Sequence, residues 1–351
     1  MSTFGYFRTS LVFTFFMLVL AGVVGWIYNG TASGVATAIF LAMVLSVLEI
    51  SLSFDNAVVN AKVLEHMAPL WRHRFLTWGI VIAVFGMRII FPLVIVGVVA
   101  QLGPLEVIRL AALNPNQYAQ ILTSAHHLIA AFGGAFLAMV GLKFFFDHEK
   151  EIHWIRIIES PLCKMGRIEA VELAIVMATL YGISKFLPDF QRAEFLAAGI
   201  FGLIVYVLID GVTMFMEEGG EEALKAAHRA SASLFIYLEL LDASFSFDGV
   251  IGAFALTNNL FIIAAGLGAG AMFVRSITIM LVDKGTLATY RFLEHGAFYA
   301  IGSLAAIMFL GTLIHIPEAI TGFIGAGFIG LSFWSSIRHN RLKEGKPVAP
   351  A

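Results

Sequence analysis

Six acidic residues fall inside stretches otherwise apolar enough for lipid: Glu49, Asp55, Asp210, Glu239, Asp242 and Asp248. A carboxylate at the centre of a membrane span costs about 2.5–3.5 kcal/mol on insertion scales and marks an ion path or proton relay by default. Their spacing narrows the chemistry. At about 100° per residue, Ser46, Glu49, Ser53, Asn56 and Asn60 share one helical stripe, and Glu239, Asp242, Ser246 and Gly249 share another. Each stripe is a line of oxygen donors without a histidine or thiol, which suits hard divalent cations such as Mn²⁺, Mg²⁺ and Ca²⁺ over zinc or copper. Asp55 and Asp248 lie about 120° round and about 9 Å along from Glu49 and Asp242 on regular helices. One unbroken helix therefore cannot bring both of its acids to a single ion. Two arrangements stay open: two stacked acidic layers, each drawing one residue from each helix, or a local break near Phe54-Asp55 or Asp248-Gly249 that turns the second acid inward.

Two arginines, Arg88 and Arg275, share the apolar background. Paired one to one, as Asp55 with Arg88 and Asp248 with Arg275, they make the acids fold-specifying salt bridges. Two cations cannot neutralise five or six carboxylates, however, so a charge-balancing role beside an ion site is the reading adopted. Ser53, Glu239 and Ser246 join the two arginines as secondary or charge-balancing positions. His126, His127 and His295 are candidates for a proton relay, set against packed or interfacial histidines.

The elements that must position these groups follow from composition. Of 351 residues 59% are hydrophobic and 13% charged, against roughly 25% charged in a soluble domain. Apolar runs of spanning length are expected at residues 10–28, 35–60, 75–100, 121–146, 170–187, 194–216, 231–256, 260–282, 296–313 and 319–336. The first is long for a signal peptide and is read as retained. Lys and Arg number sixteen in the terminal tails and the second, fourth, sixth and eighth connections, and two in the others. That asymmetry places both termini in the cytoplasm. The longest cytoplasmic connection, 147–169, carries a stretch at 152–162 suited either to an interfacial helix or to a solvated loop.

The chain also resembles itself. Residues 47–55 lie over 240–248 without a gap, pairing Glu49 with Asp242, Ser51 with Ser244, Ser53 with Ser246 and Asp55 with Asp248. Gly79 and Arg88 then fall on Gly266 and Arg275, and more faintly His127 on His295. The repeat makes 1–187 and 194–336 two five-helix units, with 337–351 a cytoplasmic tail. Five is odd, so the units lie upside down relative to each other, an arrangement found in transporters with midplane sites. The expected fold is an all-α polytopic membrane protein of about ten helices in a 5+5 inverted repeat.

Further motifs carry a family resemblance. Phe54-Asp55-Asn56, Arg72-His73-Arg74 with Trp78-Gly79, and Met87-Arg88 are followed by Asp248-Gly249, Phe254-Ala-Leu-Thr257, Arg275-Ser276 and Tyr290-Arg-Phe-Leu293. In this order, over residues 35–308, the chain resembles the TerC family of membrane proteins, within a LysE-like exporter superfamily. The resemblance implies tellurite resistance or manganese export, with Glu49, Asp55, Asn56, Asp242 and Asp248 as metal ligands. It departs at Asp248-Gly249, where the family commonly has Asp-Ser, and matches only loosely over 143–216.

Other classes are weaker. A net charge of −2 excludes a nucleic-acid binder acting through a basic field. The single Cys163 excludes a disulfide framework. No His-Glu-x-x-His or nucleotide-binding loop occurs. Asp210-Gly211 and Asp248-Gly249 only echo the Gly-x-Gly-Asp of intramembrane diacid proteases. The reading is therefore a non-enzymatic secondary transporter exporting a divalent cation, Mn²⁺ first, across a bacterial cytoplasmic membrane. Its partners are the bilayer and the ion, with no prosthetic group, nucleotide or nucleic acid, and with homo-oligomerisation open. The rivals are a non-transporting scaffold for metallation or assembly of other membrane proteins, and an exporter of organic solutes.

Overall fold

The computed structural model describes residues 3–79, 81–166, 168, 170–217, 223–314 and 316–343, without side chains at 3, 212–217, 223–230, 247, 248, 318, 319 and 343. Among these residues the secondary structure is helical throughout. The first half of the chain contains α1 (Thr3–Asn29), α2 (Ala32–Leu52), α3 (Phe54–Glu65), α4 (Pro69–Arg74), π-helical segments at Phe75–Gly79 and Ile82–Ile90, α5 (Phe91–Ala100), α6 (Pro104–Leu113), α7 (Pro115–Ser124), α8 (His126–Phe146), α9 (Arg156–Met165) and α10 (Val171–Ser184). The second contains α11 (Asp189–Glu217), α12 (Ala223–Ala253), α13 (Leu260–Asp283), α14 (Thr286–Thr289), α15 (Leu293–Gly311) and α16 (Glu318–Lys343). Every apolar run expected from the sequence coincides with helix.

Eight helices among the described residues are long and apolar enough to cross a membrane. The protein is thus an all-α, multi-pass membrane protein. Two of the ten expected spans fall outside that set. The fifth is α10, apolar but only 14 residues long. The seventh is α12, which at 31 residues has the length but carries Glu239, Asp242 and Asp248. Large apolar side chains such as Phe15, Phe16, Phe201, Leu208, Phe323 and Leu331 are exposed on α1, α11 and α16, as lipid-facing surfaces require.

Local chemistry sets the helix ends. Thr31 caps α2 by accepting from Gly34 N at 3.1 Å, and Asn259 caps α13 by accepting from Phe261 N at 3.0 Å. Pro104 and Pro115 occupy first positions of α6 and α7, where the missing N–H costs nothing. The connection 147–169 does form a helix, α9, displaced a few residues beyond the expected 152–162.

Buried α13 is the central element, packing on α1, α2, α3 and the second π-helical segment. Its contact with α2 depends on small residues at i and i+4. A Cβ on Gly266 would stand 2.6 Å from Leu45 Cβ, and one on Gly270 would stand 2.5 Å from Glu49 Cβ. The second acidic helix approaches from the other side. Glu49 lies against Gly249, Asn56 bonds Asp242, and Ala68 N donates to Ser231 Oγ at 2.9 Å. As numbers rise along α2 and α3 they fall along α12, so the two helices run antiparallel.

Candidate functional site

The first acidic helix is interrupted at Ser53, whose φ of −106° and ψ of 16° separate α2 from α3. A break is present in the first half, but it does not turn Asp55 inward to join Glu49; α12 continues unbroken through Asp248 and Gly249. At the start of α3, Asp55 Oδ1 accepts from its neighbour's backbone, Asn56 N, at 3.0 Å, satisfying one of the first-turn donors that a helix start leaves without an intrahelical partner. Ser53 Oγ meanwhile donates to Glu49 Oε1 at 3.0 Å.

The break divides the acids between two chambers. The first, about 40 Å³, is lined by Glu49, Ser53, Asn60, Arg88, Glu239 and Asp242, with Arg275 and Thr278 at its side. Arg88 stands between two carboxylates: Nη2 donates to Glu49 Oε1 and Nη1 lies 3.8 Å from Asp242 Oδ2. Nη1 also donates to the Ala83 carbonyl within the π-helical segment. Asn56 Nδ2 donates to Asp242 Oδ1 at 2.6 Å. Glu239 differs from the other acids. Both its oxygens are buried without a hydrogen-bond partner, and Oε1 would lie 2.7 Å from a Cβ on residue 79, so only Gly79 admits it. Asp242 Oδ2, Ser246 Oγ, and the Oδ1 atoms of Asn56 and Asn60 are likewise buried without a hydrogen-bond partner. Such groups cost free energy unless something polar reaches them.

Asp55 is not part of this cluster. It lines a separate chamber of about 20 Å³ with Phe245, Gly249, Ser303, Thr321 and Gly325, which shares no lining residue with the first. The pairing of Asp55 with Arg88 is replaced by Glu49 and Asp242 with Arg88. Arg275 instead sends Nη2 to the Leu76 carbonyl. The side chain of Asp248, and hence its pairing with Arg275, lies outside the described residues. Asp210 sits apart, bonded to Lys143. Among the described residues no group of three or more His, Cys, Asp or Glu is placed to hold a metal ion. Glu49, Glu239 and Asp242 are therefore not a preassembled cage while Arg88 stands between them.

The three histidines do not meet. His126 lines a wide vestibule of about 990 Å³ beside Asn116, Gln120, Thr123 and Asn258. His127 contacts Ser124 O at 3.0 Å and Glu194 at 3.5 Å. His295, at the start of α15, lies 2.9 Å from Glu159 of α9. Glu159 is fully buried and also faces Lys150 at 3.3 Å, His153 at 3.6 Å and the backbone N–H groups of Trp154 and Ile155. Burial alone would raise its carboxyl; the hydrogen bond and charge of His295, the Ile155 N–H and Lys150 outweigh that and hold it at about 2. Sequence reasoning missed this cluster, although Lys150, His153 and Glu159 fall within ten residues of one connection. Asn60 was placed on the stripe but not among the site residues, and Thr278 carried no signal.

Fold and site together define a polytopic helical membrane protein with a buried acid–arginine chamber between two antiparallel acidic helices. The family model described as "Protein of unknown function (DUF475)" matches residues 54–343, and the chain belongs to that family. No curated protein and no solved structure matches it.

Proposed function

We propose that the protein is a secondary transporter moving a hard divalent cation across a bacterial cytoplasmic membrane through the Glu49–Glu239–Asp242 chamber. The observation that carries this reading is Glu239, a buried carboxylate with neither oxygen partnered. A fold-specifying acid finds its partner within the protein, whereas this one points to a partner that arrives from outside. Unpartnered Oδ1 atoms of Asn56 and Asn60 add neutral oxygen donors nearby, and no His or Cys lines the chamber. That donor set favours Mn²⁺, Mg²⁺ or Ca²⁺. A 40 Å³ cavity has room for an ion with one or two waters.

The broken α2–α3 helix and its antiparallel partner α12 support the inverted five-helix repeat, the architecture in which such breaks face transported ions. Mn²⁺ as cargo, outward direction and cytoplasmic termini follow from the TerC resemblance and the Lys/Arg asymmetry. A second reading, in which the acids only specify the fold, draws on the Arg88 contacts with Glu49 and Asp242.

Purified protein in sealed vesicles, offered Mn²⁺, Mg²⁺, Ca²⁺ and Zn²⁺ in turn, separates the two. Transport predicts Mn²⁺ flux that Glu239→Gln and Asp242→Asn abolish at equal protein incorporation. Flux absent from the intact chain, or unchanged in both variants, leaves the structural reading.

A further inference from the structure

The two arginines were equivalent in the repeat, and the structure makes them unequal. Arg88 is 2% exposed, reaches Glu49 and Asp242, and fixes Nη1 on the Ala83 carbonyl. Arg275 occupies the corresponding place in the second half yet touches no carboxylate among the described residues; its Nη2 donates to the Leu76 carbonyl and its Nε is buried without a hydrogen-bond partner. Nor are the backbones beneath them alike. Arg275 lies in the regular α13, whereas Arg88 lies in a nine-residue π-helical segment, Ile82–Ile90.

From this asymmetry we infer that Arg88 alone is a tethered counter-cation: it occupies the carboxylates when cargo is absent and withdraws when a dication binds. The inference rests on the transport reading and adds a mechanism to it. A guanidinium between Glu49 and Asp242 and a divalent ion on the same two carboxylates exclude each other, by space and by charge. With Arg88 in place, the Glu49, Asp242 and Glu239 carboxylates face one positive charge directly, so the empty site holds surplus negative charge without collapsing. With Arg88 in place that surplus is two charges; with Arg88 gone and a dication bound it is one. The chamber's net charge thus changes by one unit instead of the two that a dication alone would bring, which lets it cycle without exposing a bare cluster of anions to lipid.

The π-helical segment supplies the motion. A π turn carries one more residue than an α turn, is rare, and is found at functional sites. Passing that extra residue beyond position 88 rotates the arginine by about 100° and draws it off the acids. Its hold is already incomplete: Arg88 Nε is buried without an acceptor, and Asp242 Oδ2 at 3.8 Å is beyond hydrogen-bond length. Arg275 lines the same chamber but bonds the Leu76 carbonyl and, among the described residues, no carboxylate, so it has no corresponding competition to relieve.

The test uses the full chain in lipid nanodiscs for Mn²⁺ binding and in sealed vesicles for flux. Arg88→Gln removes the competitor and is expected to tighten Mn²⁺ binding about tenfold. It retains Mn²⁺/Mn²⁺ exchange but loses net flux, because the empty site cannot return uncompensated. Arg88→Lys keeps the charge without the two-pronged grip, and is expected to bind Mn²⁺ a few-fold tighter and to keep net flux. Arg275→Gln changes affinity by less than about twofold. Arg88 variants that bind Mn²⁺ no tighter than the parent overturn the inference, as does net flux by Arg88→Gln at the parent rate. If Arg88→Gln does not fold, Arg88→Lys alone decides by its affinity. A parent chain that binds no Mn²⁺ removes the transport reading and this inference together; a parent that transports, with unchanged Arg88 variants, removes this one only.

Discussion

Asn56 and Asp242 meet across the α3–α12 contact, the amide of one donating to the carboxylate of the other at 2.6 Å. The bond ties the start of α3, just beyond the break at Ser53, to the middle of the antiparallel acidic helix. It also orients Asp242 so that Oδ2 turns toward Arg88. Asp55, one residue earlier, faces the other way, into the chamber with Ser303 and Gly325. Adjacent polar residues thus serve opposite sides of one short helix.

Removing that amide should be felt in stability before it is felt elsewhere. Asn56→Ala leaves a buried carboxylate oxygen without its donor, a loss of about 1–3 kcal/mol. Asn56→Asp should cost more, because it sets a second negative charge against Asp242. Thermal unfolding in one detergent checks the order: parent, then Asn56→Ala, then Asn56→Asp.

The acids of the two chambers should respond differently to neutralisation. Glu239→Gln is expected to weaken Mn²⁺ binding by about tenfold or more, since it removes a charge facing the chamber. Asp55→Asn, in a chamber sharing no lining residue with the first, should leave affinity within about twofold. Equilibrium binding in nanodiscs distinguishes them. Equal losses from both would mean that one ion draws on both acids.

Gly270 holds α13 against α2 at the level of Glu49. Its Cβ in Gly270→Ala would meet Glu49 Cβ at 2.5 Å and Ser46 O at 2.8 Å. Neither can yield without moving a helix, so a loss of about 1–3 kcal/mol is expected. Gly302→Ala, where an added Cβ meets nothing within 4 Å, is the control. Unfolding midpoints of the two variants should separate clearly, with Gly302→Ala close to the parent.

Glu159 makes attachment of α9 to α15 dependent on pH. Its carboxyl is held at about 2, below the ordinary 4.5, so its charged form is favoured in the folded protein. The contribution, about 3 kcal/mol, is complete above pH 4.5 and disappears as pH falls through 2. Glu159→Gln should remove it at neutral pH as well, leaving Lys150 without its partner carboxylate. Hydrogen exchange over residues 150–165 should rise in the variant at pH 7 and in the parent only toward pH 2.

What the sequence determined by itself was the helical membrane architecture and the residue types at the site. Hydropathy is a property of contiguous residues, so every apolar run coincided with helix. Fixed spacing along one helix likewise put Glu49, Ser53, Asn56 and Asn60 on one stripe, and of these Glu49, Ser53 and Asn60 line one chamber. The spacing allowed an interruption near Phe54-Asp55, but one that turns Asp55 inward; the interruption at Ser53 instead leaves Asp55 in a second chamber with residues of α12, α15 and α16, neighbours that no local spacing reveals.

Only the tertiary structure decided which acids share a chamber, which arginine holds them, and where the histidines go. Arg88 and Arg275 stand in equivalent contexts in the sequence, with the same nine-residue interval from a glycine. They part because one lies on π-helical backbone facing Glu49 and Asp242, while the other faces a backbone carbonyl. The direction of a buried side chain depends on helix winding and on neighbours hundreds of residues away. Neither is encoded in local spacing, whereas the cost of leaving a charge in lipid is.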